Sequence, residues 1–186
     1  MKIIAGDWRG RPLEAPPGLS TRPTNARARE ALFSMLASRL GGFAELAVAD
    51  LFAGSGALGL EALSRGAAHC TFVERDPGAL KALKANIARL GAGERATVLA
   101  QNVETLAPGR PHDLLLLDPP YGSGAGAKAL ARLSALGWIA PGAWVSLETG
   151  PDEGGPPIGF TVAAERSHGK ARLTLLRPDA QSPGRP

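Results

Sequence analysis

Between residues 46 and 148 short apolar runs alternate with longer segments of helical period, and no other property of the chain restricts its fold so tightly. The runs are 46–51 (LAVADL), 70–74 (CTFVE), 96–100 (ATVLA), 113–118 (DLLLLD) and 143–148 (AWVSLE), with helical stretches at 57–65, 77–90 and 124–136 between them. Strands alternating with helices in this way predict βαβ units and a parallel sheet. The tail changes the pattern: FTVAAE (160–165) and ARLTLLRP (171–178) are joined by RSHGK with no helix, which predicts an antiparallel hairpin on the sheet edge. The expected fold class is α/β, a Rossmann-like sheet of seven mostly parallel strands ending in a C-terminal antiparallel hairpin. Residues 1–23, broken by Gly and Pro, predict a small hairpin and an extended arm. Ala28, Leu32, Met35, Leu36 and Leu40 then recur at helical spacing, after a cap at Thr24 or Asn25 and before a stop at Gly41-Gly42. The expected division is a basic N-terminal hairpin and arm (1–23) and a main domain (24–186).

The most informative run is LLLLDPPY (114–121). Four consecutive leucines suit a strand buried on both faces. Asp118 then closes the strand at its carboxyl end, where open α/β sheets bind ligands. Pro119 and Pro120 have fixed φ and no N–H, so the stretch reads as a rigid shelf that presents a carboxylate, bare carbonyls and the Tyr121 ring.

A second candidate is DLFAGSGALGLEALSRGA (50–67), where Gly54, Ser55 and Gly56 sit at the change from strand to helix. Glycines there permit a tight turn and close backbone approach to a ligand. Glu74 follows Gly54 by twenty residues at the end of the next strand, the position of a ribose-binding acid. Asp50 at the head of the turn would repel a pyrophosphate but suits the ammonium of an amino-acid tail. The pattern therefore favours S-adenosylmethionine over a dinucleotide, and a P-loop is excluded because no G-K-[ST] follows. Opposite this loop, Asp118 and a backbone carbonyl would accept from the N–H groups of an aromatic exocyclic amine. They would favour its pyramidal form and the positive charge that develops as methyl transfers. Tyr121 would stack on the flipped base.

The net charge of +4 is concentrated in residues 1–40, which hold seven basic and three acidic side chains. A basic head on a neutral body predicts an anionic partner, with nucleic acid foremost. Arg9, Arg11, Arg22, Arg27 and Arg29 are the candidate RNA contacts, with Arg27 and Arg29 expected to face outward. The glycine loop is expected to draw nothing from the hairpin. Cys70 is the single cysteine, which excludes an internal disulfide and a Cys-based metal site. His69, His112 and His168 lack ligand spacing and are expected at the surface, and no metal is expected. Trp8, Trp138 and Trp144 are expected to pack. The sequence start has no long apolar region, so a cytoplasmic location is expected.

D-P-P-Y together with TRPTNARAREALFSML (21–36) and the glycine loop closely resembles the bacterial RsmD-type methyltransferases, over nearly the whole chain. The resemblance implies that the main domain is S-adenosylmethionine-dependent and transfers a methyl group to N2 of one guanine in small-subunit (16S) ribosomal RNA. It implies that Asp50, Gly54, Ser55 and Gly56 hold the methionine end of the cofactor, Glu74 its ribose, and Asn102 with Val103 its adenine. Ala53 and Arg75 flank these positions and are counted with them. Asp118 and Pro119 would meet the target amine, with Pro120 and Tyr121 completing the catalytic shelf. Val103 departs from the small residue expected beside the adenine. The partner would be 16S ribosomal RNA or a partly assembled small subunit, and the protein a monomer. An adenine-N6 methyltransferase acting on DNA or RNA, and a non-catalytic RNA-binding subunit, remain the alternatives.

Overall fold

The computed structural model describes residues 1–16, 23–151, 153–169 and 171–179. Helix α1 (Pro23–Leu40) precedes β1 (Ala47–Leu51), α2 (Ala57–Ser64), β2 (His69–Glu74), α3 (Pro77–Leu90) and β3 (Ala96–Ala100). Then follow β4 (His112–Leu117), α4 (Ala125–Ala135), β5 (Ile139–Thr149), β6 (Phe160–His168) and β7 (Ala171–Pro178). The seven strands form one sheet in the order β3-β2-β1-β4-β5-β7-β6. The first five are parallel, and β7 runs antiparallel to both β5 and β6. The fold class expected from the sequence is borne out. The strand order reverses between β1 and β4, so their carboxyl ends flank the crevice where such sheets bind ligands.

The four leucines of β4 are explained by burial on both faces. Leu114 and Leu116 enter the core under α1, α2 and α3, while Leu115 and Leu117 enter the core on the α4 side. All four are at most 1% exposed, because successive strand residues point to opposite faces and helices cover each.

Residues 1–16 form a tight loop closed by a single antiparallel bridge between Lys2 and Pro12, a more modest structure than the expected hairpin. This loop is built into the core, with Ile3, Trp8 and Leu13 buried against residues of α1, α2 and α3. Glu61 of α2, fully buried, accepts from Ile4 N–H at 2.8 Å, Ala5 N–H at 3.0 Å and Arg65 Nε at 2.9 Å. Ser64 accepts from Trp8 N–H at 3.0 Å and donates to Ala5 O at 2.6 Å. A buried carboxylate is retained at low cost only when so fully partnered.

The helical stripe of α1 corrects one expectation. The fully buried positions are Arg29, Leu32, Phe33 and Leu36, spaced i, i+3, i+4 and i+7, whereas the expected stripe ran through Ala28, Leu32 and Met35. The real stripe is rotated by about one position, so Arg29 lies inside and only Arg27 faces solvent. Arg22 and the side chains of Thr24, Asn25 and His168 lie outside what is described; the helix already begins at Pro23, which puts the expected cap positions Thr24 and Asn25 inside its first turn. His112 is a second correction. It opens β4, is 6% exposed and stacks on Trp138 with ring centroids 5.1 Å apart. Its Nε2 pairs with Thr71 Oγ1 at 3.1 Å, and burial lowers its pKa.

Candidate functional site

The chain leaves β1 through a turn in which Phe52, Gly54 and Gly56 all have left-handed φ, at 64°, 56° and 81°. For Phe52 that conformation is uncommon and strained, a cost found mainly at functional loops. A Cβ built on Gly54 would meet nothing within 4 Å, so this backbone faces open space that a ligand can approach. A Cβ on Gly59 would instead fall 2.4 Å from Phe72 and 2.6 Å from Cys70, which shows that Gly59 serves helix packing.

Three buried or half-buried polar side chains hold the turn in place. Glu74 at the end of β2 accepts from Gly54 N–H at 2.7 Å with one oxygen, and from Arg75 and Asp76 N–H at 2.7 and 2.8 Å with the other. Asp50, 1% exposed, accepts from Gly59 N–H at 2.8 Å. Its pKa is raised well above the ordinary value by burial first and then by Asp118 and Glu74, against the hydrogen bond from Gly59. Asn86 of α3, fully buried, donates to Ser55 O and Glu14 O, both at 3.0 Å, and accepts from Glu14 N–H at 2.8 Å. One amide thus ties the N-terminal loop to the glycine turn, so the expected independence of the turn from residues 1–16 does not hold.

A cavity of about 330 Å³ opens beside this turn. Asp50 lines it from β1, Gly54 from the turn that follows, Asp118 and Tyr121 from beyond the end of β4, Glu148 from β5 and Arg29 from α1. The sequence-predicted shelf and glycine loop therefore meet in one space. Asp118 is exposed to solvent at this cavity, while protein atoms crowd around its carboxyl group. That enclosure, with Glu148 next in weight, raises its carboxyl to about 7. The Tyr121 hydroxyl donates to Glu148, and burial followed by that bond raises its pKa; the ring itself is 49% exposed. Pro119 is buried beneath the shelf, and the Pro120 carbonyl accepts from Ser123 Oγ at 2.5 Å.

Glu74, Arg75, Asn102 and Val103 do not line this cavity. Asn102 caps a short 3-10 turn by accepting from Glu104 N–H at 3.2 Å. The Val103 side chain, 3% exposed, is committed to the core beside Ala49, Leu51 and Val73, which explains how a bulky residue stands there. Arg75, Arg9, Arg11 and Arg27 are exposed.

Glu148, Asn86, Phe52 and the inward Arg29 were missed by the sequence reading. A signal for Glu148 was present, since the four runs ending at 51, 74, 118 and 148 all carry an acid in their last two positions. Among the described residues no group of three or more His, Cys, Asp or Glu is placed to hold a metal, and no helix is long and apolar enough to cross a membrane.

Residues 1–177 match the family described as Conserved hypothetical protein 95. Ribosomal RNA small subunit methyltransferase D of Escherichia coli is 38% identical over 97% of this chain and 91% of its own length. The protein of the same name in Haemophilus influenzae is 36% identical over 95% of this chain and 93% of its own. A solved Escherichia coli chain, described provisionally as the methyltransferase yhhF, superposes with a TM-score of 0.86 at 38% identity, covering 97% of this chain and 99% of that one.

Proposed function

The chain belongs to the Conserved hypothetical protein 95 family, and we propose that it transfers a methyl group from S-adenosylmethionine to the exocyclic N2 of a guanine in small-subunit (16S) ribosomal RNA. It is an S-adenosylmethionine-dependent methyltransferase, as its relatives over nearly the whole chain are ribosomal RNA methyltransferases. The residues present fit that cofactor. Open backbone at Gly54 leaves room for its approach, and among the described residues no cation pairs with the buried Asp50. Bound there, S-adenosylmethionine supplies an electrophilic methyl group on a sulfonium.

The observation that carries the guanine reading is the acid pair, Asp118 and Glu148, on the floor of the cavity. On the Watson–Crick edge of guanine, N1 and N2 are both donors beside the O6 acceptor, whereas adenine places an acceptor at N1. Two carboxyl groups therefore match guanine and leave the adenine N1 facing like polarity. Asp118, once ionised, accepts from the target amine and stabilises the positive charge that grows on it. Tyr121, half-exposed at the cavity mouth, offers a ring face for the flipped base. Glu74 reaches the ribose through lone pairs not used by the loop, and Asn102 with the Val103 backbone borders the adenine. Exposed Arg9, Arg11 and Arg27 take phosphates of the RNA. A monomer suffices, because one chain supplies every group.

The test is methylation of small ribosomal subunits or naked 16S RNA lacking the modification, followed by nucleoside mass spectrometry. N2-methylguanosine is the expected product. Appearance of N6-methyladenosine would replace the guanine reading, and RNA binding without any methyl transfer would leave a non-catalytic subunit.

A further inference from the structure

Among the described residues, Arg29 is a buried charge with no anion paired to it. It is 5% exposed, donates through one terminal nitrogen to Lys2 O at 2.5 Å, and its Nε has no hydrogen-bond partner among the described residues. Glu61 is the acid whose field it feels, yet the Glu61 oxygens already serve Ile4, Ala5 and Arg65, and no ion pair joins the two. Burial lowers the Arg29 pKa, with Glu61 opposing in part. A guanidinium in this condition is costly to retain unless something completes it.

The missing partner is indicated by the cavity. Arg29 lines it together with Asp50, an acid that is also buried and, among the described residues, accepts from one backbone N–H. One buried acid and one buried base on the walls of one small space are complementary to a zwitterion, and an α-amino-acid group carries an ammonium and a carboxylate on the same carbon. An RNA phosphate is a poor candidate, because Arg29 is buried together with Leu32, Phe33 and Leu36, whereas Arg9, Arg11 and Arg27 are exposed.

We propose that Arg29 binds the α-carboxylate of the methionine moiety of the methyl donor, as the basic counterpart of Asp50. This rests on S-adenosylmethionine as donor. It makes α1 part of the cofactor site, although the sequence assigns that helix to RNA. The guanidinium suits the role because its planar fork pairs a carboxylate through two parallel bonds.

Calorimetric titration of the purified full chain with S-adenosylhomocysteine, and with the analogue that lacks its carboxylate, separates this role from a structural one. The unaltered protein should prefer the carboxylate-bearing ligand. Arg29→Met should weaken S-adenosylhomocysteine by about 10- to 100-fold, the scale of a lost charge-assisted pair, and leave the decarboxylated analogue nearly unchanged. Arg29→Lys should retain part of the preference, and it covers the event that the Met variant does not fold. Equal weakening of both ligands, or no preference in the unaltered protein, would overturn the assignment while leaving the methyltransferase reading intact. Failure of the unaltered protein to bind either ligand would instead remove the donor reading itself.

Discussion

Asp118→Asn removes a charge that the folded chain holds unfavourably, so it should stabilise the protein while impairing it. The carboxyl is raised from 3.8 to about 7 by its enclosure and by Glu148. The folded state therefore binds this proton more tightly than the unfolded state does, and stability falls as pH climbs through that interval and is level above it. Full burial would make the penalty about 4 kcal/mol above neutrality. Solvent reaches Asp118 through the cavity, and screening reduces the figure to about 1–2 kcal/mol. Asn keeps the shape and one acceptor without the charge. Urea unfolding of both proteins between pH 5 and 8.5 should show the Asn variant more stable, by a margin that widens toward about 1–2 kcal/mol at pH 8. Methyl transfer should drop on the order of 100-fold, the scale of losing one preorganised stabilising group, with cofactor affinity nearly unchanged. A variant less stable than the parent at pH 8, or a margin independent of pH, would refute the placement of Asp118 in an enclosed acidic site.

Glu148→Gln removes the like charge beside Asp118, so the acidic limb of kcat/KM should move from about 7 to lower pH; a pH–rate profile that stays in place would rule out coupling of the two acids. Asn86→Ala strips partners from Glu14 N–H, Glu14 O and Ser55 O. It should cost about 2–4 kcal/mol in chemical unfolding and also weaken S-adenosylhomocysteine in calorimetry, whereas unaltered binding would mean that the N-terminal loop and the glycine turn are independent. The Arg9→Ala, Arg11→Ala double variant should bind RNA more weakly and with a log–log salt slope shallower by about 1.4–1.8 if both meet phosphates; an unchanged slope places the RNA face elsewhere.

Where a rule is local, the residues alone were sufficient. LLLLDPPY announces a strand covered on both faces and an acid at its end, because a two-residue period and a proline stop depend only on the chain's own geometry. The glycine turn, Glu74 twenty residues on and the helix-free tail are legible for the same reason, and with them the sheet class and the shelf. What remained hidden involves partners remote in sequence. The sequence alone turns Arg29 outward because a stripe through Ala28 and a stripe through Phe33 differ by a rotation of about one residue, and only the core packed beneath α1 decides between them. Burial of His112 depends on Trp138 and Thr71, which reach it from another connection and another strand. Asn86 looks like any polar helix residue until α3 packs and its amide finds Glu14 and Ser55, 72 and 31 positions away. Glu148 acquires its meaning only when β5 pairs with β4 and sets its carboxylate against Tyr121 and Asp118. Periodicity is a property of neighbours along the chain, whereas burial of a charge and the raising of a pKa are set by what folding brings alongside it.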